Sequence, residues 1–203
     1  DAVHPGYGFL SENADFAASL EKEGMIFIGP HVEAIKVMGD KATSKKLANN
    51  AGVPTVPGTD EAVPTVDEAV KIANEIGYPV LLKAVAGGGG RGMRACETEQ
   101  DVRDQFEAVG RESLAAFNNG DLLVEKLIVN PHHIEVQILA DKQGNTYHFY
   151  ERECSIQRRH QKIVEEAPSP FIGDDEKLRQ EICETAMKLA KAVNYDSAGT
   201  VEF

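Results

Sequence analysis

The chain has 203 residues, 42% hydrophobic and 27% charged, a globular composition with enough apolar side chain to bury a core. A net charge of −12 argues against a protein that coats nucleic acid. No apolar run approaches a membrane span, no signal peptide is visible, and Cys96, Cys154 and Cys183 are too scattered for a zinc site or a disulfide framework, which favours a reducing compartment.

The sequence starts at "DAVHPGYGF" without an initiator Met and stops at "SAGTVEF" in what reads as mid-strand, so a piece of a longer protein is expected. Ser11 is the expected N-cap of a helix that Gly24 closes, and "MIFIGP" follows as a short buried strand. Residues 31–52 read as helix on either side of Gly39 and Asp40. The prolines of "VPTVPGTDEAVP" mark a connector and a domain boundary. Val66, Ala69, Val70, Ala73 and Ile76 then recur at helical spacing, with Thr65 or Asp67 near the N-cap and Gly77 as the stop.

"YPVLLKAVA" and "GMRACET" read as two strands, so the glycines between them turn a hairpin. A helix over 99–117 comes next, then three strands, "LLVEKLI", "HHIEVQILAD" and "NTYHFYERE", separated by turns at Asn130-Pro131 and Gly144-Asn145. Residues 174–193 form a long helix with Leu178, Ile182, Ala186, Leu189 and Val193 on one face. The fold class is α+β, without the strict alternation of a doubly wound nucleotide fold.

"KAVAGGGGRGMR", Lys83 to Arg94, is the first stretch with a chemical reading. A Walker loop puts its lysine after the glycines, and here Lys83 precedes them. A dinucleotide turn opens a helix at once, and here a strand follows. Two readings stay open: a plain turn, or a lid whose bare N–H groups point at phosphate while Lys83 adds a fixed charge.

Three other polar groupings stand out. His133, Glu135 and Gln137 alternate with Ile134, Val136 and Ile138, a pattern that suits either a solvated strand face or a site. "QRRHQK" concentrates Arg158, Arg159, His160 and Lys162 in an acidic chain, as a solvated basic loop or a small-anion site. Glu202 in "GTVEF" is a carboxylate in an apolar frame, which is costly unless paired or bound to metal; magnesium commonly takes one or two carboxylates plus substrate phosphates.

Taken together, "HPGYGFLSEN", "FIGP", "MGDK", "GYPVLLKA", "GGGGRGMR", "EK" at 125–126, "HIEVQ", "ERECSIQRRHQKIVEEAPSP" and "AGTVEF" resemble the biotin carboxylase component of the biotin-dependent carboxylases. The phrases run through nearly the whole chain in the family's order. The resemblance implies an ATP-grasp fold divided as the end of a pre-ATP-grasp domain (1–38), a linker helix region (39–57), a small lid domain (58–127) and the first part of a large domain (128–203).

It also implies roles by position. Lys41 and Lys83 would contact ATP phosphates, with Gly89 and Gly90 in the lid. Glu125, Lys126, Leu127 and Ile128 would line the adenine pocket, partly through backbone groups, and His133, Gln157 and His160 would face the nucleotide. Lys162 would help hold bicarbonate, with His160 beside it in the catalytic set, Glu202 would be the first magnesium (or manganese) ligand, and Tyr7 lies where the family approaches biotin.

The implied reaction is carboxylation of biotin on a carrier protein through carboxyphosphate. Partners would be bicarbonate, the biotin carrier and a carboxyltransferase, which chooses the acceptor; an acyl-CoA is expected. The parent would be a homo-oligomer in a bacterial cytoplasm or a mitochondrial matrix, with no nucleic-acid or membrane partner. Another ATP-grasp ligase, such as a carbamoyl-phosphate synthetase half, and a non-catalytic nucleotide-binding module are the alternatives. Two departures from the family pattern are a glycine run of four, with Ala86 in the first place, and Leu127 where an aromatic is common.

Overall fold

The computed structural model describes residues 1–86, 92–159 and 161–203, without the side chains of Phe9, Lys41 and Ala42. It is built on three sheets. In the first, β1 (Ala2–Val3) pairs in parallel with β2 (Ile26–Phe27), and α1 (Ala14–Lys22) crosses between them. Asn13, not Ser11, caps α1, its side chain accepting from the Phe16 N–H at 2.7 Å. A 3-10 turn at Phe9–Glu12 intervenes, and the Ser11 hydroxyl donates within it to the Gly8 carbonyl at 2.6 Å.

Beyond β2, α2 (Val32–Gly39) and α3 (Lys41–Asn50) meet at Asp40, whose carboxylate accepts from the Thr43 N–H at 2.7 Å and caps α3. This is the break expected at Gly39-Asp40.

The small sheet runs β4-β3-β5, antiparallel throughout, from β3 (Val80–Ala84), β4 (Met93–Cys96) and β5 (Leu122–Lys126). Lys83 pairs with Met93, so a hairpin does enclose the glycine run. Two capped helices cover one face. Thr65 caps α4 (Val66–Ile76), and Thr98 and Asp101 form a reciprocal capping box on α5 (Glu99–Phe117). Val80, Leu82 and Ala84 are fully buried against this layer, with Ala69, Val70, Ala73 and Val102 in the same core. Burying one such leucine contributes roughly 1.5–3 kcal/mol. Strand alternation therefore sends Leu81 and Lys83 to the opposite face.

The proline-rich connector is not a loose linker. It lies along β5, with the Lys126 N–H donating to the Pro57 carbonyl at 2.7 Å and the Thr59 N–H to the Val124 carbonyl at 2.9 Å. Gly58 makes this approach possible, because a Cβ there would fall 2.5 Å from the Val124 carbonyl oxygen.

The large sheet runs β8-β7-β6-β9, again antiparallel: β6 (Ile134–Ala140), β7 (Thr146–Arg158), β8 (Gln161–Glu166) and β9 (Ala198–Glu202). The basic run spans the β7–β8 turn, where Arg158 and Arg159 are exposed, while Lys162 on β8 turns to the carboxylates of the sheet. The third expected strand extends well past Glu153 because β8 continues its ladder. One face of β6 packs on α6 (Glu176–Ala192) through Val136 and Ile138 against Cys183, Ala186 and Ala190.

Ala186, Leu189 and Val193 of the expected face of α6 are buried and Ile182 packs partly buried against the core, but the first turn departs. Leu178 is exposed, and Arg179 is buried instead, donating to Glu151 on β7 at 2.9 Å and to the Gly173 carbonyl at 2.6 Å. Burial drives the Glu151 carboxyl up, but hydrogen bonds led by that from Arg179 outweigh it and hold the carboxyl below its ordinary range. The three cysteines are free and fully buried, their thiols pushed up to about 11 first by burial. Among the described residues, no helix is long and apolar enough to cross a membrane.

Candidate functional site

On the open face of the small sheet, Leu81 pairs directly with Glu125, which makes Lys83 and Glu125 diagonal neighbours. Lys83 Nζ lies 3.0 Å from Glu125 Oε2. A third residue joins them from α3: Lys45, whose side chain is only 9% exposed, sits 3.8 Å from Glu125 Oε1 and donates to the Thr59 carbonyl at 3.4 Å. Two cations therefore share one carboxylate. Sequence reading missed Lys45, since an amphipathic helix carries several lysines and nothing local marks the buried one.

The Lys126 side chain points elsewhere. It donates to the Gly77 and Tyr78 carbonyls at 2.9 Å each, closing the end of α4. The Leu127 N–H is engaged by the Pro79 carbonyl at 3.1 Å. Within 125–128, the backbone N–H groups of 126 and 127 are thus occupied by the protein itself, while Ile128 is about half exposed.

The second grouping lies on the large sheet, on the face away from α6. Register places Arg152, Glu135 and Glu202 in one row across β7, β6 and β9. Glu135, with a side chain only 4% exposed, accepts from Arg152 Nε at 2.6 Å through one oxygen and is bridged by Lys162 through the other. Lys162 on β8 also reaches Glu202 Oε1 at 2.7 Å. Arg152 extends the set by donating twice to Gln137 Oε1 at 3.2 Å.

His133 and Gln157 border this row. Gln157 Nε2 lies 3.0 Å from His133 Nδ1, which leaves Nε2 to face Glu202. That nitrogen lies 3.3 Å from Glu202 Oε1 but off a hydrogen-bonding line, so the contact is electrostatic. Burial raises the Glu135 carboxyl, yet the hydrogen bonds from Lys162 and Arg152 prevail and its net direction is down. Burial lowers Lys162, and its bonds to Glu135 and Glu202 overcome this and raise it, so both groups stay charged near neutral pH.

The expected polar face thus exists, but its centre is buried rather than solvated. Glu202 departs from expectation in the other direction: its side chain is 55% exposed and paired, not sealed in an apolar frame. His133, Glu135 and Glu202 bring ligand atoms within 4.8 Å of one another. Both Glu135 oxygens are held by cations, whereas among the described residues Glu202 is bonded to Lys162 through Oε1 alone, so Glu202 has an oxygen to offer a hard cation that prefers oxygen donors.

Gly89, Gly90 and His160 lie outside the described residues, as does the side chain of Lys41. Tyr7 is almost wholly exposed, with His4 edge-on to it at 5.5 Å. A polar cleft of about 590 Å³ lined by His31, Lys142 and Asp196 lies at the other end of β6 and contains none of these residues.

Two family models match end to end along the chain. Residues 1–35 match "Biotin carboxylase, N-terminal domain", and residues 40–203 match "Carbamoyl-phosphate synthase L chain, ATP binding domain". A crystal structure of a Campylobacter jejuni biotin carboxylase in complex with β,γ-ATP superimposes with a TM-score of 0.95 at 51% identity, over 100% of this chain and 45% of that one. The chain belongs to the biotin carboxylase family.

Its fold is accordingly a partial α+β ATP-grasp fold. Another member, the biotin carboxylase domain dimer of Hydrogenobacter thermophilus 2-oxoglutarate carboxylase with MgADP, ADP and bicarbonate, gives a TM-score of 0.93 at 54% identity, over 100% of this chain and 44% of that one. The mitochondrial propionyl-CoA carboxylase alpha chain of Sus scrofa is 58% identical over 202 residues, 100% of this chain and 27% of its own length. The chain spans less than half the length of each of these relatives.

Proposed function

We propose that the protein carries the nucleotide and bicarbonate chemistry of a biotin-dependent carboxylase, transferring a carboxyl group from bicarbonate to biotin on a carrier protein at the expense of ATP. The observation that carries this reading is the Lys162 ammonium, fixed between Glu135 and Glu202 on the polar face of the large sheet. The bicarbonate, MgADP and ADP of the Hydrogenobacter thermophilus structure support it.

In this reading residues 1–38 end a pre-ATP-grasp domain, 39–57 link it onward, 58–127 form the lid domain and 128–203 begin the large domain. Lys83, with Lys41, meets the ATP phosphates beneath the lid of Gly89 and Gly90. Residues 125–128 line the adenine pocket, to which Lys126 contributes backbone rather than its ammonium. His133, Gln157 and His160 border the nucleotide, and Tyr7 lies toward biotin.

Lys162 holds bicarbonate for attack on the γ-phosphorus, giving ADP and carboxyphosphate. Carboxyphosphate then splits into CO₂ and phosphate, the phosphate takes the ureido N–H proton, and the ureido nitrogen bonds the CO₂ carbon. Glu202 would hold magnesium, which neutralises charge on the transferred phosphoryl group. Lys162, kept charged by its two carboxylates, stabilises the developing anion with little reorganisation.

The partners are then a biotin carrier and a carboxyltransferase, and the parent is a homo-oligomer, as the dimeric relative suggests. Similarity to the pig propionyl-CoA carboxylase chain favours an acyl-CoA acceptor and either a mitochondrial matrix or a bacterial cytoplasm.

The test is turnover by the full-length protein. MgATP hydrolysis should require both bicarbonate and biotin, and Lys162→Ala should abolish it while nucleotide still binds. Turnover that survives the substitution removes Lys162 from bicarbonate binding. Turnover indifferent to biotin points to another ATP-grasp ligase, and no turnover to a non-catalytic nucleotide module.

A further inference from the structure

Lys45 poses a question that the proposed roles leave unanswered. Its side chain is nine-tenths buried, yet its ammonium carries three donors and, among the described residues, its two acceptors are distant: 3.4 Å to the Thr59 carbonyl and 3.8 Å to Glu125 Oε1. A buried ammonium is costly, and a packing role alone is better filled by an apolar side chain. Its other notable partner, Glu125, is itself 13% exposed and already bonded to Lys83 at 3.0 Å through its second oxygen.

The arrangement makes sense if the two lysines have unequal duties. Lys83, 23% exposed at the glycine end of β3, is the more accessible cation. Lys45 is locked in by α3 and by the connector that Gly58 lets onto β5. Were Glu125 to have Lys83 as its one cation, releasing Lys83 to a phosphate would strand a buried carboxylate, a penalty that competes directly with nucleotide binding.

We propose that Lys45 is a positioning residue: the resident counter-ion of Glu125, which keeps that carboxylate neutralised when Lys83 turns to the nucleotide phosphates. On this account Glu125 holds Lys83 in place, and Lys45 sets how tightly. The proposal rests on Lys83 being a phosphate contact, and its test separates the two ideas.

The experiment is a binding cycle on the full-length protein, titrating ATP and adenosine by calorimetry. Lys45→Met should weaken ATP by about tenfold, because Lys83 is then the sole neutraliser of Glu125, while adenosine affinity stays unchanged. Lys45→Arg, which keeps the charge, should restore ATP affinity. In a Glu125→Gln background the same Lys45→Met substitution should have little effect, since no carboxylate remains to hold Lys83 back.

Equal weakening in both backgrounds, equal loss for ATP and adenosine, or no loss at all would overturn the role. If the Met variant does not fold, Lys45→Gln in both backgrounds gives the same comparison with a polar side chain. Lys83→Gln is the separate control. Unchanged ATP affinity there sinks the phosphate reading itself, whereas a large loss with Lys45→Met neutral leaves that reading intact and removes the role of Lys45.

Discussion

On the small sheet, two lysines share the Glu125 carboxylate at 3.0 and 3.8 Å. On the large sheet, Arg152 and Lys162 enclose Glu135, and Lys162 reaches a second carboxylate at 2.7 Å. The first cluster has more cations than anions and one long contact, so it keeps a positive charge available to an incoming anion. The second sets Arg152 and Lys162 among three carboxylates, Glu135, Glu202 and, 3.6 Å from Arg152, Glu165, and its short bonds fix geometry and leave no positive charge to spare. One therefore suits a mobile polyanion such as a nucleotide tail, and the other suits holding a small reactant at a fixed angle.

The sharpest way to break this contrast is Glu135→Gln. It removes the charge that both Arg152 and Lys162 share, so Lys162 should drift, and kcat should fall on the order of hundredfold while ATP affinity moves little. A larger change in ATP affinity than in kcat would show that the two clusters are not separable in this way.

Gly58→Ala probes the other cluster with a smaller expected effect. The new Cβ would press on the Val124 carbonyl, so the connector must shift, at about 1–3 kcal/mol of stability. ATP affinity should fall with it because Thr59 is an acceptor for Lys45. Melting unchanged from wild type would mean that the strand-like contact of the connector is dispensable.

The smallest effect concerns acid, on the rear face of the large sheet. The Glu151 carboxyl is held below its ordinary value of 4.5, so its contribution to stability is complete above that pH and is lost as pH falls through the folded value. Glu151→Gln should therefore melt lower near neutral pH, with the gap to wild type narrowing below pH 4.5. Parallel melting curves from pH 7 to 3 would assign acid sensitivity to other carboxylates.

Sequence patterning made much of this architecture readable. Thr65 and Gly77 mark the ends of α4 correctly, and the apolar alternation of Val80, Leu82 and Ala84 fixes which way Lys83 faces. It failed where a polar residue occupies an interior position. Arg179 is buried by its bond to Glu151, 28 residues away, so apolar periodicity wrongly extended the otherwise buried face of Ala186, Leu189 and Val193 to Leu178. The basic run left a solvated loop and a small-anion site both open, because its charges concealed the β7–β8 ladder that carries Lys162.

Site residues divide along the same line. Glu202, His133, Lys162 and Arg152 sit in phrases that resemble a family, though nothing in them marks the pairing of Arg152 with Glu135, 17 positions away, whereas Lys45 lies outside them and gains its importance from Glu125, 80 positions distant. Long-range pairing of ordinary charged residues leaves no local mark.

The three cysteines acquire a use from where they sit. Cys96 lies in β4 of the small sheet, Cys154 in β7 of the large one and Cys183 in the helix behind it, each shielded from solvent with its thiol pushed up to about 11. At neutral pH none presents a thiolate to an alkylating reagent. Labelling each position over time would then clock the transient opening of its own layer, a native stopwatch for the small sheet and its neighbour that needs no engineered probe.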